Sequence, residues 1–278
     1  YMELCNKGLY GPALKLITEK NPLPFITGTI CAHRCQTKCS RNFYDESVRI
    51  RDTKLLAAQK GYNALMASVK RPARVSGKRV AIIGGGPTGI AAAYFCGRAG
   101  IETTIFERES CLGGVPRHVI PSFRIANEAI EKDIALMEQY GVEVKCGAPA
   151  PSVDELKKLG YTHILLAVGA WKPGKLDIAG DVAGAIQWMK GVKAGHIAVT
   201  GNVAVIGGGN TAMDAARLAK RSGAEHVTLV YRRTRKYMPA DEHELALALA
   251  DGVTFAELAA PVKQADGVLT CEKMVLGE

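Results

Sequence analysis

The feature that most restricts the fold of this chain is a glycine-rich turn that occurs twice in similar surroundings. The first turn, GGGPTG, covers residues 84–89, and the second, GGGNTA, covers residues 207–212. Each follows a short apolar run of strand length and opens a run of small residues with helical spacing. A chain that alternates strand, helix and strand in this way forms a parallel sheet covered by helices. The sequence therefore predicts an α/β fold with two similar units.

The chain divides into three segments of different character. Residues 1–72 are expected to form a helical domain that carries closely spaced cysteines. Residues 73–185 and 186–278 are expected to form two Rossmann-like units of three layers. The sequence stops shortly after an apparent strand near Val268. We therefore expect the last unit to be truncated and the sequence to be a fragment.

The first glycine turn has the residue pattern of a dinucleotide site. Gly84, Gly86 and Gly89 stand at the glycine positions of G-x-G-x-x-G, which serve a tight turn, close approach to a pyrophosphate and close helix packing. Glu107 ends the second strand at about the 20-residue spacing expected for a carboxylate on the adenosine ribose. A carboxylate accepts hydrogen bonds from the ribose hydroxyls and repels a 2′-phosphate. The pattern favours FAD or NAD over NADP, and a glycine turn without nucleotide is the alternative.

A pair of glycines after Glu107 favours FAD for this first site. Gly113 and Gly114 let the backbone pass close to a flat ring, although a plain turn is an alternative interpretation. The predicted FAD-binding residues are Gly84, Gly86, Pro87, Thr88, Gly89, Glu107, Arg108, Leu112, Gly113 and Gly114. No C-x-x-C or C-x4-C pair follows, which disfavours a redox disulfide of the thioredoxin reductase or glutathione reductase kind.

The second glycine turn differs at the ribose end. Its second strand leads into Arg232 and Arg233, in the region where the first unit has Glu107. Guanidinium groups match phosphate geometry and stay charged at physiological pH, so this change predicts recognition of the 2′-phosphate of NADPH. A solvated basic loop is the alternative. The predicted NADPH-binding residues are Gly207, Gly209, Asn210, Thr211, Ala212, Arg232 and Arg233, with Arg235 and Lys236 as helpers.

Cys31, Cys35 and Cys39 form a closely spaced trio that permits three interpretations. Thiolates hold iron–sulfur clusters, which is the interpretation we favour. A zinc site with His33 as fourth ligand is the second, and three thiols without function are the third. Three cysteines do not complete a four-thiolate shell, so a further ligand has to come from elsewhere. Cys5 is one candidate, but its place in an amphipathic helix favours a small buried residue.

Composition restricts the environment and the partners. Hydrophobic residues make up 47% and charged residues 23% of the chain, as in ordinary soluble proteins. The formal net charge is +9, but the basic residues are scattered, so we expect no nucleic acid as partner. No apolar run approaches the ~18 residues of a membrane span, and the N-terminus lacks the features of a signal peptide. We therefore expect a cytoplasmic protein without membrane insertion.

Together these patterns resemble the family of the small (beta) subunit of glutamate synthase, over essentially the whole chain. The selenate reductase flavin-subunit branch looks nearest. The resemblance implies that NADPH reduces FAD, which passes electrons through 4Fe-4S clusters to a downstream electron-accepting subunit or domain. The stretches that carry the resemblance are residues 21–39, 80–89, 112–124, 164–173 and 203–240, including YRRTRKYMPA.

One departure from that family concerns the cluster. Many relatives carry a glutamate or glutamine ligand about 15 residues after the last cysteine of the trio, and Lys54 stands there in this sequence. A cationic side chain does not ligate iron, so we expect the 4Fe-4S cluster to be incomplete or absent in this fragment. Two other functions stay open: a nucleotide-binding docking module without turnover, and a zinc-bearing regulatory domain fused to a reductase.

Overall fold

A computed structural model describes residues 1–172, 174 and 176–277 of the chain. Pro173, at the end of the family-like stretch 164–173, lies outside the described residues. The chain divides into two compact units, which are described separately. The first contains Tyr1–Arg117 and Ser122–Gly169, and the second contains His118–Pro121 and Ala170–Glu278.

The first unit begins with helices that pack on one another. Helix α3 starts with Pro24, which suits a first helical position because it has no N–H to leave unpaired. Cys5 lies in the small core that these helices share, beside Ala13 and Ile17. A short 3₁₀ turn, Ser40–Phe43, follows the cysteine trio. The five helices are α1 (Met2–Asn6), α2 (Tyr10–Thr18), α3 (Pro24–Ile30), α4 (Arg34–Thr37) and α5 (Ile50–Ser68).

A parallel sheet forms the rest of the first unit. Its strands lie in the order β3-β2-β1-β4, so that β1 and β2 are central. The glycine turn of residues 84–89 joins β1 to α6, as the sequence predicts. The elements are β1 (Arg79–Ile83), α6 (Pro87–Arg98), β2 (Glu102–Glu107), α7 (Gly114–His118), α8 (Asn127–Glu138), β3 (Glu143–Cys146), α9 (Val153–Lys158) and β4 (His163–Leu166).

Asp133 joins the N-terminal helices to the sheet part of this unit. Its side chain is fully buried on α8, and its two carboxyl oxygens accept hydrogen bonds from the backbone N–H groups of Phe25 (3.1 Å) and Ile26 (2.8 Å) at the start of α3. Burial raises the pKa of Asp133 to about 7, against the opposing effect of these two donors. The Phe25 ring packs edge-on against Tyr62 of α5.

The second unit repeats the strand–turn–helix arrangement. Its parallel sheet has the order β5-β6-β7, followed by the antiparallel pair β8-β9. Arg217 and Arg221 of α11 both bind Asp251. The hydrogen bonds from Arg221, and to a smaller extent from Arg217, lower the pKa of that carboxyl to about 2. The elements are α10 (Ala185–Lys193), β5 (Asn202–Ile206), α11 (Asn210–Arg221), β6 (His226–Tyr231), α12 (Glu242–Ala250), β7 (Thr254–Glu257), β8 (Ala259–Ala265) and β9 (Val268–Lys273).

The predicted α/β architecture with parallel sheets is confirmed in both units. Among the residues that the structure describes, no helix combines the length and the apolar character that a membrane span requires.

Two candidate nucleotide-binding sites

The first glycine turn adopts a conformation that depends on its glycines. Gly84 has φ +108°, in the region that side-chain-bearing residues rarely adopt, and a Cβ added there would overlap the backbone of Ala167. A Cβ on Gly89 would overlap the carbonyl oxygen of Gly84, so helix α6 approaches the turn as closely as a glycine allows. These are the roles that the sequence pattern assigns to the first and third glycines.

The N-terminus of helix α6 faces this turn without a side-chain cap. The residue before the helix is Gly86, which has no side chain to bind the first amides, and Pro87 lacks an N–H. Thr88 is exposed on the first turn of the helix. The unpaired amides and the positive end of the helix dipole are the groups that bind a phosphate at such a position.

Glu107 is fixed beside the turn by two backbone hydrogen bonds. Its side chain is largely buried, with Oε2 accepting from Gly85 N (2.6 Å) and Oε1 accepting from Glu109 N (2.9 Å). A carboxylate has about four acceptor positions, so acceptor capacity is left for ribose hydroxyls. The carboxylate is therefore oriented before any nucleotide binds.

The paired glycines also lie against the first turn. Gly113 N donates to Gly85 O (2.8 Å), and a Cβ on Gly114 would lie 2.7 Å from the Cα of Gly86. Leu112 is buried beside them. Arg108 is also predicted for this site, but its guanidinium group is exposed, and its Nε lies 3.6 Å from Oε1 of Glu109. The fold thus brings the turn, Glu107 and residues 112–114 together.

The second turn matches the first in its backbone. Gly207 has φ +137° and donates its N–H to Val230 O (3.0 Å), as Gly84 donates to Phe106 O (2.8 Å) in the first unit. Helix α11 begins at Asn210 after Gly209, again without a side-chain cap. Both turns therefore present the N-terminus of a helix at the carboxyl edge of a parallel sheet.

Glu107 is the residue predicted to bind the adenosine ribose, and its position at the end of the second strand is called the ribose corner. The register of the two sheets shows which residue of the second unit lies at the corresponding position. Ile83 pairs with Phe106 and Ile206 pairs with Val230, so the counterpart of Glu107 is Tyr231. Sequence reasoning placed the arginines at this corner and missed the tyrosine. The interval from the first glycine to the corner is one residue longer in the second unit, so a comparison of spacings does not find it.

Arg232 and Arg233 follow Tyr231 and are exposed. They begin a basic loop, residues 232–240, which returns to the glycine turn where Ala240 N donates to Gly208 O (3.0 Å). The predicted helper Arg235 lies 3.2 Å from Glu242, which offsets part of its charge. The two leading arginines are therefore the residues best placed for an anion at this end of β6.

Comparison with known protein families shows to which family the chain belongs. The model of the family described as "Pyridine nucleotide-disulphide oxidoreductase" matches residues 78–266. The chain belongs to this family. The match begins just before strand β1 and extends past the second glycine turn to residue 266, so it covers both candidate sites.

Curated relatives confirm the resemblance to glutamate synthase small chains. The chain is 42% identical over its full length to YgfK of Escherichia coli strain K12, and spans 28% of that protein. It is 34% identical over its full length to the NADPH-Fe(3+) oxidoreductase subunit beta of Geobacter sulfurreducens, spanning 44% of it. It is 29% identical to the Escherichia coli glutamate synthase [NADPH] small chain, over 92% of this chain and 58% of that one. The assignment to the selenate reductase branch stays a prediction.

Solved structures share the fold. The thioredoxin reductase of Lactococcus lactis superposes with a TM-score of 0.51 and 23% identity, over 70% of this chain and 69% of that one. FprA of Mycobacterium tuberculosis, solved with NADPH, superposes with a TM-score of 0.54 and 16% identity, over 70% and 66% of the two chains. At these identities the likeness concerns the architecture alone.

The cysteine trio does not form a ligand set in this family member. Cys31 and Cys35 are exposed, Cys39 is partly buried, and all three are free thiols. Within residues 1–172, 174 and 176–277, no group of three or more His, Cys, Asp or Glu side chains is arranged to hold a metal ion. Cys5 is packed in the helical core. These residues do not fit a 4Fe-4S cluster or a zinc ion by themselves.

Proposed function

We propose that this chain is the nucleotide-binding part of an NADPH-dependent flavin oxidoreductase, with FAD at the first glycine turn and NADPH at the second. One observation carries the proposal: the same strand, turn and helix are built twice, with opposite charge at the ribose corner. The first corner holds the carboxylate of Glu107, whereas the second holds Tyr231 followed by Arg232 and Arg233. A carboxylate disfavours a 2′-phosphate and two guanidinium groups favour it.

The residues of the first site would bind and orient FAD. The uncapped start of α6 would bind the pyrophosphate, and the fixed carboxylate of Glu107 would accept hydrogen bonds from the adenosine ribose. Residues 112–114, packed on the turn, would supply backbone close to the flavin end. Bound FAD would supply the hydride-acceptor chemistry, and the protein would contribute binding, orientation and exclusion of water.

The residues of the second site would select NADPH. The start of α11 would bind its pyrophosphate, as the start of α6 would bind that of FAD. Arg232 and Arg233 would bind the 2′-phosphate through paired N–H donors.

We also propose that the electrons leave through a separate electron-accepting subunit or domain in the cytoplasm. The Geobacter sulfurreducens relative is named as a beta subunit, which supports a partner. The free thiols of Cys5, Cys31, Cys35 and Cys39 are typical of a reducing compartment. A 4Fe-4S cluster that uses Cys31, Cys35 and Cys39 would need at least one further ligand.

An anaerobic absorption spectrum of the purified full chain tests the proposal. We expect a flavin band that NADPH bleaches. Glu107→Gln should lower the flavin content, because a neutral amide loses charged hydrogen bonds worth about 1.5–3 kcal/mol each. Glu102→Gln is the matched control, since Glu102 begins the same strand β2 and binds Arg79 at the opposite end of the sheet. A protein without flavin, or one whose flavin NADPH does not bleach, would refute the assignment.

A further inference from the structure

Tyr231 replaces a carboxylate at the ribose corner of the second site. In the first unit the carboxylate of Glu107 accepts the N–H of Gly85. In the second unit the aromatic ring of Tyr231 lies against Gly208 instead, where an added Cβ would be 2.5 Å from Cε2 of the ring. Only 8% of Tyr231 is exposed. The ring therefore fills the space beside the turn and removes the negative charge from this corner.

The hydroxyl group of Tyr231 holds the far end of the basic loop. It donates a hydrogen bond to the carbonyl oxygen of Tyr237 (2.7 Å), the last residue of the 3₁₀ turn Arg235–Tyr237. This bond closes a ring of backbone that starts at the end of β6 and contains Arg232 and Arg233. Both arginines are thereby attached to a loop that is fixed at its two ends.

Three further hydrogen bonds hold the same loop to the second unit. Leu258 N donates to Arg233 O (3.3 Å), and Ala240 N donates to Gly208 O (3.0 Å). The backbone N–H of Arg235 donates to Glu257 Oε2 (2.8 Å). These bonds use backbone groups of the loop and leave the guanidinium groups of Arg232 and Arg233 exposed. The arrangement fixes the backbone from which the phosphate-binding side chains extend.

We propose that Tyr231 is a positioning residue for 2′-phosphate recognition, acting through its hydrogen bond to Tyr237. The proposal rests on the assignment of NADPH to the second site. A loop that is already ordered loses less conformational entropy when its arginines bind a phosphate, so the tyrosine strengthens phosphate binding through the loop. Its contribution applies to the 2′-phosphate and leaves the rest of the dinucleotide unaffected.

Calorimetric titration of the full chain with adenosine 2′,5′-bisphosphate and with 5′-AMP tests this role. Tyr231→Phe keeps the ring against Gly208 and removes only the hydroxyl. A hydrogen bond of this kind contributes about two- to tenfold in an equilibrium constant, so the bisphosphate should bind about two- to tenfold more weakly. Binding of 5′-AMP should stay unchanged. The salt dependence of bisphosphate binding should also stay unchanged, because both arginines are retained.

Two control variants separate the possible results. Tyr161→Phe removes another buried tyrosine hydroxyl, which donates to Thr104 in the first unit, and should not affect the bisphosphate. Arg232→Gln should weaken the binding of the bisphosphate and reduce the salt dependence of that binding. If Arg232→Gln weakens binding and Tyr231→Phe does not, the positioning role is overturned and the NADPH site stands. If the wild-type chain binds the bisphosphate no better than 5′-AMP, the proposed function fails and the role of Tyr231 fails with it.

Discussion

Replacing Asp133 by asparagine should remove a large pH dependence from the stability of the first unit. The Asp133 carboxyl is fully buried, and burial raises its pKa from 3.8 to about 7. Between these values the folded state holds a proton that the unfolded state has lost, so stability falls as pH rises through this window and levels off above it. At about 1.4 kcal/mol per pH unit, the loss between pH 4 and pH 7 amounts to roughly 4 kcal/mol.

Asparagine keeps one carbonyl oxygen for the N–H groups of Phe25 and Ile26 and does not ionise. It turns its amide N–H group toward the second donor, which costs about 1–3 kcal/mol at every pH. The stability of Asp133→Asn relative to wild type should therefore rise by roughly 3 kcal/mol from pH 5 to pH 8. Above neutral pH the variant should equal or exceed the wild type.

Hydrogen exchange in urea, followed by mass spectrometry, measures this difference. Tryptophan fluorescence does not report it, because Trp171 and Trp188 both belong to the second unit. The peptides to follow cover residues 21–30 and 50–68, with intrinsic exchange rates corrected for pH. Glu128→Gln, an exposed change on the same helix, is the control and should change stability by less than about 0.5 kcal/mol at either pH. An unchanged difference between Asp133→Asn and wild type at pH 5 and pH 8 would refute the reasoning.

Two further changes test the two units separately. Gly89→Ala should destabilise the first unit and lower its flavin content, because the added methyl group overlaps the Gly84 carbonyl oxygen. Hydrogen exchange measures the stability, and the flavin-to-protein ratio measures the flavin content. Unchanged values for both would contradict the described packing. Asp251→Asn should lower the urea stability of the second unit by about 1–2 kcal/mol at pH 7, since it weakens the bonds from Arg217 and Arg221. The pKa of Asp251 is lowered to about 2, so its contribution is present above the ordinary value of 3.8 and is lost as pH falls toward 2. Tryptophan fluorescence follows this unit, and an equal effect of Asp251→Asn at pH 2 and pH 7 would contradict the prediction.

The sequence predicted the features that depend on local patterns. The glycine turns, the strands before them and the helices after them follow from residues that are adjacent in the chain, and Glu107 follows from a fixed spacing within one unit. The contact of Asp133 with Phe25 and Ile26 was not predicted, since it joins residues that are distant in sequence.

The ribose corner of the second site was predicted only in part. Its arginines were found from their charge, whereas Tyr231 depends on the register between β5 and β6, which spacing alone does not give. The cysteine trio shows a different limit. Its spacing suggested a cluster, but ligation depends on the direction of each thiol and on ligands from other segments, and the described residues do not form a complete set.

The rate of anaerobic flavin reduction by NADPH and by NADH tests the central claim most directly. Wild type is compared with the double variant Arg232→Gln/Arg233→Gln, in which the glycine turns and Tyr231 are intact. We expect the wild type to be reduced faster by NADPH at limiting concentration, and the variant to lose this preference while its rate with NADH is retained. Equal rates with the two nucleotides in the wild type, or a preference for NADPH that survives in the variant, would contradict the assignment of the two sites.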